Sequence, residues 1–148
     1  MSHSYISNRL HIVFSTKGRR DVIAPEAAPK LWAYIAGIGR NIGAQISHVG
    51  GTGNHVHLLL GLPATVNLAA AVQKIKGSSS KWMSDSGAKN FKWQEGYAAF
   101  SVSASNLKTV GHYIETQEEH HAKHSFEDEF RSLLIKHGIK FDGRFVFG

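Results

Sequence analysis

The sequence predicts an α+β fold, and three observations carry that reading. Four short runs rich in β-formers are spread along the chain. Between them lie two longer segments whose apolar residues recur at helical spacing. The resulting order is β-α-β-β-α-β, followed by two further helices. Four strands in that order imply a ferredoxin-like or RRM-like antiparallel sheet with helices on one face, here extended by a C-terminal helix pair. At 148 residues the chain has about the modal size for one hydrophobic core, so a single domain over residues 1–148 is expected.

Residues 9–15 place Leu10, Ile12 and Phe14 on one face of a first strand. The basic turn Lys17-Gly18-Arg19-Arg20 follows. Pro25-Glu26 suits a helix start, and Leu31, Ile35 and Ile38 keep helical spacing to about Asn41, with Gly43 as the cap. Residues 44–49 read as a second strand, Gly50–Asn54 as a turn and His55–Leu60 as a third strand, which together make a hairpin. Pro63 ends that strand. A second helix runs from about Asn67 to Met83, with Leu68, Val72 and Ile75 inward and Lys74, Lys76 and Lys81 outward. Gly87–Gly96 is a loop and Tyr97–Val102 a fourth strand. Ser103 and Ser105 are N-cap candidates for one continuous helix to about His121. Ser125 and the acidic residues after it start a last helix, Phe126 to His137, which Gly138 stops.

Composition narrows the function. Apolar residues make up 42% of the chain and charged residues 19%, enough for a packed core and unlike a disordered chain. Seventeen Lys and Arg against eleven Asp and Glu give a net charge of +6, which fits an anionic partner such as nucleic acid. A solvated basic surface is the bland alternative. The charge is uneven, however. Residues 1–110 hold twelve basic and four acidic side chains, a regional +8, whereas residues 111–148 hold five and seven, a regional −2. The anion-binding surface is therefore expected in the first three quarters. The absence of cysteine excludes disulfides, thiolate metal sites and a Cys nucleophile. Ten histidines point instead to nitrogen and oxygen ligands for any metal. The start MSHSYISNRL is polar, and no apolar run reaches the roughly 18 residues of a membrane helix, so a cytoplasmic protein is expected.

Two clusters carry chemistry. His55 and His57 share one face of a strand, about 6.6 Å apart at Cα, and converge from an open sheet face toward a divalent metal. An isolated His-x-His is a weak signal, but polar residues alternating with apolar ones need a reason. On the expected 105–121 helix, Gln117 sits about 40° around from Tyr113, and His120 about 20° the other way. Gln117 thus offers a carbonyl oxygen beside the phenol. Together the clusters describe phosphoryl transfer to a tyrosine. A metal held by two imidazoles and an amide oxygen offsets charge on the scissile phosphate while the phenolate attacks phosphorus in line. The product is a phosphotyrosine and a free 3′ hydroxyl.

The segment Gly53–Leu60, Gly-Asn-His-Val-His-Leu-Leu-Leu, resembles the HUH motif (U, a bulky apolar residue) of the IS200-like one-tyrosine transposases. Residues His11–Lys17, Phe91–Tyr97, Tyr113–His121, Phe126–Leu134 and Gly138–Asp142 are similar to that family in the same order. The resemblance implies a transposase that cleaves and rejoins single-stranded DNA through a 5′-phosphotyrosine, with Mg²⁺ or Mn²⁺. It implies Tyr113 as nucleophile and His55, His57 and Gln117 as metal ligands. It further implies hairpin-bearing element ends as substrate, and a homodimer in which each site takes its tyrosine helix from the other subunit. Asn54 departs from the Asp common in the family, but it still donates and accepts hydrogen bonds.

Lys17, Arg19, Arg20, Lys74, Lys76 and Lys81 are the expected phosphate contacts. Trp82, Phe91, Trp93 and Tyr97 are candidates to stack an unpaired base, with at least two of them expected in the core. His120, His121 and His124 could supply a metal ligand or a base, though a polar surface or helix-terminal place is the stronger expectation, and His11 and His48 could flank the His pair but are expected at core or edge positions. Two other readings remain. One is a catalytically silent relative that binds DNA hairpins. The other is a metal-dependent hydrolase that uses the His pair and water and has no need of Tyr113.

Overall fold

The computed structural model describes residues 3–147; Met1, Ser2 and Gly148 lie outside the described residues. Its four strands are β1 (Arg9–Ser15), β2 (Gln45–Thr52), β3 (His55–Gly61) and β4 (Ala98–Ser101). They form one sheet in the order β2-β3-β1-β4, antiparallel at each junction. This is the expected ferredoxin-like sheet.

Helices α1 (Ala28–Asn41) and α2 (Leu68–Asp85) cover one face. Ile12, Phe14, Val56, Leu58 and Leu60 of the sheet meet Leu31, Ile35 and Ile38 of α1 and Val72, Ile75 and Met83 of α2 in the main core. Alternation along β1 and β3 therefore sends these residues one way and His11, Val13, His55 and His57 the other. α1 begins at Ala28, three residues after the expected Pro25. The chain first makes a turn on the Ala24 carbonyl, and Pro29 then takes the first helical turn, where its missing N–H leaves no bond unmade. Asn67 caps α2 by accepting from the Ala70 N–H at 3.2 Å.

The second face is not open, as the sequence suggested. Helices α3 (Leu107–Glu115), α4 (Gln117–His121) and α5 (Phe126–Lys136) lie over it. Phe126, Phe130 and Leu134 of α5 pack on Val13, Ala98 and Phe100. The continuous helix expected to His121 is interrupted at Thr116 (φ −108°, ψ 28°). Its hydroxyl donates to the His112 carbonyl at 2.9 Å, a side-chain bond that competes with continuation of the helix.

The glycines of the hairpin do different work from that expected. Gly50 and Gly51 are paired residues of β2, so the turn shrinks to Gly53-Asn54. A Cβ on Gly50 would lie 2.1 Å from the Ile114 carbonyl oxygen, and one on Gly51 would lie 2.2 Å from the His55 carbonyl oxygen. On the facing helix, a Cβ on Gly111 would lie 2.6 Å from the His48 ring. Bare backbone on β2 and on α3 thus lets the helix lie directly on the strand. Among the described residues, no helix is long and apolar enough to cross a membrane.

Gly50→Ala is expected to lower stability by about 2 kcal/mol, because backbone rather than a flexible side chain must give way. Gly77→Ala, at an exposed position of α2 with nothing within 4 Å of the new methyl, is expected to raise it by about 1 kcal/mol. Urea midpoints of the two variants test both; equal midpoints would contradict the close seating of α3.

Candidate active site

Register and docking bring residues from four elements together beneath α5. β1 supplies His11, and β3 supplies His55 and His57. α3 and α4 supply Tyr113, Gln117 and His121, and α5 supplies Glu129. His55 and His57 are fully buried, and Gln117 and Glu129 nearly so. Tyr113 is half-buried, with its ring 5.7 Å from that of His57. Within one chain, therefore, the tyrosine lies beside the His pair.

Glu129 is the hub. Its Oε1 lies 3.0 Å from His57 Nε2 and 3.1 Å from His121 Nε2. His55 Nε2 is 3.6 Å from the same oxygen. Oε2 accepts a hydrogen bond from the Tyr113 hydroxyl, with His120 Nε2 3.5 Å away. Gln117 Oε1 stands 3.1 Å from His55 Nε2 and 2.9 Å from His121 Nε2, and its amide N–H donates to the Tyr113 carbonyl. Among the described residues, every buried side-chain nitrogen and oxygen has a partner.

The outer nitrogens of the rings are committed. The Asn54 amide N–H lies 3.4 Å from the Arg19 carbonyl, which turns Asn54 Oδ1 toward His55 Nδ1 at 2.8 Å. His55 Nδ1–H donates to that oxygen, so the neutral ring presents a lone pair at Nε2. His121 likewise donates from Nδ1 to the His124 carbonyl at 2.7 Å. His57 Nδ1 is 2.7 Å from His11 Nε2. Neutral His55 thus aims its Nε2 lone pair at the Gln117 amide oxygen, and His121 Nε2 lies beside the Gln117 and Glu129 oxygens, a set that a divalent cation satisfies. One donor atom from each of His55, His57, His121 and Glu129 lies within 4.8 Å of every other. These residues fit the metal expected from the sequence.

Electrostatics follow from burial. Desolvation, aided by nearby His57, lowers His55 to about 3, and the same causes hold His11 well below the usual range. Both rings are neutral at pH 7. Burial would raise the Glu129 carboxyl, but hydrogen bonds from His121, His57 and Tyr113 hold it far below the carboxylate range. Burial would lower His121, but its bond to Glu129 and that residue's charge raise it. Burial and the Glu129 charge push the Tyr113 phenol above its ordinary value. A positive charge brought into the cluster acts in the opposite direction. A cavity of about 480 Å³ opens on Tyr113 and Glu129, walled by His11, Phe100, His120 and His137.

Other candidate residues are placed unevenly. Lys17 and Arg20 are exposed just beyond β1, whose Ser15 pairs with His55. Arg19 lies 3.8 Å from Glu127 and 4.4 Å from the centre of the Phe147 ring. The remaining lysines belong to α2, in the layer across the sheet from Tyr113. There Lys74 is exposed, Lys81 pairs with Asp85 at 3.1 Å, and Lys76 donates to the carbonyls of Gln94, Glu95 and Gly96. Phe91 and Trp93 are core residues, Trp82 stacks on Tyr34, and Tyr97 is exposed.

Sequence reasoning missed Glu129 and gave His11 and His121 lesser parts. For Glu129 a signal existed: it falls on the apolar stripe of Phe126, Phe130 and Leu134, where a carboxylate is out of place.

The model of the family described as "Transposase IS200 like" matches residues 4–117, well over half of the chain. The chain belongs to the IS200-like transposase family. Its fold is similar to that of a protein from Deinococcus radiodurans R1 assigned as a transposase, with a TM-score of 0.62 and 24% identity over 79% of this chain and 96% of that one. It is also similar to a REP-associated tyrosine transposase bound to a REP hairpin, with a TM-score of 0.56 and 18% identity over 77% and 68%. No curated protein matches the chain. This transposase-family member ends its family match at Gln117, so His121 and Glu129 lie beyond it.

The lowered His55 sets a direction for stability in metal-free protein. A ring protonated below about 6.5 in the unfolded chain, but only below about 3 in the fold, favours folding above pH 6.5. That contribution is lost as pH falls toward 3. His11 acts the same way. Urea unfolding with EDTA should therefore show a loss of about 3 kcal/mol between pH 7 and pH 4, reduced in His55→Gln. Unchanged stability across that range would contradict a neutral, sealed His55.

Proposed function

We propose that the protein is a metal-dependent tyrosine transposase that cleaves and rejoins single-stranded DNA. The observation that carries this reading is the convergence, in one chain, of the Tyr113 hydroxyl with the buried His55–His57 pair and the Gln117 amide oxygen. A binding module has no use for that arrangement, and a water-using hydrolase has no use for Tyr113.

Tyr113 Oη is the nucleophile. It attacks phosphorus, the P–O3′ bond breaks, and the product is a 5′-phosphotyrosine with a free 3′ hydroxyl. Rejoining reverses these bonds with another 3′ hydroxyl, so the energy of the phosphodiester is kept and no nucleotide cofactor is required. Glu129 Oε2 orients the phenol and accepts its hydrogen bond. His55, His57 and Gln117 would hold Mg²⁺ or Mn²⁺, which would supply charge to offset that developing on the phosphate oxygens. Asn54 keeps His55 turned toward the ion through Nδ1, which the Asp common in the family would also do. The cavity beside Tyr113 is the approach for the strand.

Lys17, Arg19 and Arg20, at the end of β1, are the phosphate contacts nearest the site. Lys74, Lys76 and Lys81 would serve only DNA that also reaches across the sheet. The neighbouring fold bound to a REP hairpin supports hairpin-bearing DNA as the partner. The resemblance implies a homodimer with exchanged tyrosine helices. The arrangement within one chain supports instead a tyrosine that serves its own His pair, whatever the oligomeric state.

Tyr113→Phe should abolish covalent capture of a single-stranded oligonucleotide, read as a shifted protein band, and leave DNA affinity within about twofold (~0.4 kcal/mol). The double variant His55→Ala/His57→Ala should match the effect of EDTA on the wild type. Mixing the Phe variant with the His variant should restore nothing if each tyrosine serves its own site. Unimpaired cleavage by Tyr113→Phe would reject the tyrosine mechanism.

A further inference from the structure

The cluster holds more donors than the three used above, and the extra two lie outside the stretch that the family model matches. His121 and Glu129 belong to α4 and α5, and the family match ends at Gln117. The family model therefore assigns neither residue a role, and their placement rests on this chain's own geometry.

That geometry is specific. An ion with bonds of about 2.1 Å sets neighbouring ligand atoms about 3.0 Å apart in octahedral geometry and about 3.4 Å apart in tetrahedral geometry. Four separations lie close to the octahedral value: 3.0 Å for His57 Nε2 and Glu129 Oε1, 3.1 Å for His121 Nε2 and Glu129 Oε1, 3.1 Å for His55 Nε2 and Gln117 Oε1, and 2.9 Å for His121 Nε2 and Gln117 Oε1. His55 Nε2 and Glu129 Oε1 are 3.6 Å apart. Each inward-facing imidazole nitrogen has its other nitrogen bonded elsewhere: His55 to Asn54, His121 to the His124 carbonyl and His57 to His11. Backing of this kind fixes a ring as a ligand. Glu129 is itself buried and has its second oxygen on Tyr113, so one carboxylate would join the ion to the nucleophile.

We propose that His121 and Glu129 are ligands of the same ion as His55, His57 and Gln117. The site then offers three imidazole nitrogens, one carboxylate oxygen and one amide oxygen. Imidazole-rich sets favour divalent transition ions, whereas Mg²⁺ prefers oxygen and keeps several waters. The two added ligands therefore narrow the choice between Mg²⁺ and Mn²⁺ toward the transition ion Mn²⁺, for which Co²⁺ is a spectroscopic stand-in. Five donors around an octahedral ion leave one position, which suits a single phosphate oxygen. The inference rests on the reading that His55 and His57 bind a metal, and it extends that reading to two residues of the C-terminal helices.

The test is Co²⁺ binding to the full chain without DNA, followed by calorimetry and by the visible absorption of the bound ion. The variants are His121→Ala, Glu129→Gln and Glu129→Asp, with His55→Ala as reference and circular dichroism to verify folding. Loss of either new ligand should weaken Co²⁺ by at least about tenfold (~1.4 kcal/mol) and change its spectrum. Glu129→Asp, which keeps a carboxylate, should recover part of the affinity, and a hundredfold excess of Mg²⁺ should leave bound Co²⁺ in place. Wild-type affinity and spectrum in His121→Ala and Glu129→Gln, alongside loss in His55→Ala, would overturn this proposal and leave the His-pair reading standing. Failure of the wild type to bind Co²⁺ would overturn both.

Discussion

A carboxylate buried among imidazoles governs how the C-terminal third of this protein sits. Moving an isolated charge out of water costs several kcal/mol, and such a group is tolerated only when fully paired. Glu129 meets that condition through His57, His121 and Tyr113. Each of those partners comes from a different element, so the carboxylate ties α5 to the sheet and to both halves of the tyrosine helix. The apolar contact of Phe126, Phe130 and Leu134 with Val13 and Phe100 seats α5 without choosing its register closely; directional bonds at Glu129 do that.

The sheet is the rigid part of the arrangement. Val56 and Leu58 anchor β3 in the main core, and pleat alternation then fixes where His55 and His57 point. On the neighbouring strand, bare backbone at Gly50 lets α3 approach closely enough to hold Tyr113 over the pair. The pairing of β1 with β3 places Val13 opposite His57, which leaves His11 on the same face to back the His57 ring. Chemistry at this site thus depends on strand register as much as on the identities of the residues.

How much of this was legible follows from the range of each signal. His55 and His57, two residues apart on a strand, and Tyr113 and Gln117, one helical turn apart, show themselves through local spacing, and the β-α-β-β-α-β order gives the sheet. Gly50 and Gly51 misled because glycine marks both turns and close approaches, and only the packing of α3 distinguishes the two. The helix break at Thr116 was hidden because a Thr hydroxyl donated back to the carbonyl four residues earlier only weakly opposes a helix and occurs in unbroken ones too. Glu129 and His121 depend on docking between elements far apart in the chain, and the acidic start of α5 has a sufficient local explanation in the helix dipole. The covered second face was missed for the same reason.

The central claim is that the phenol of Tyr113 lies within a few ångströms of an ion held by the His pair of its own chain. The chain has four tyrosines, so uniform 3-fluorotyrosine labelling gives four ¹⁹F resonances, one assigned to position 113 by its loss in Tyr113→Phe. Stoichiometric Mn²⁺ should broaden that resonance beyond detection while those of Tyr5, Tyr34 and Tyr97 stay sharp, and the effect should vanish in the His55→Ala/His57→Ala protein. A position-113 resonance that stays as sharp as the others at saturating Mn²⁺ would contradict the account.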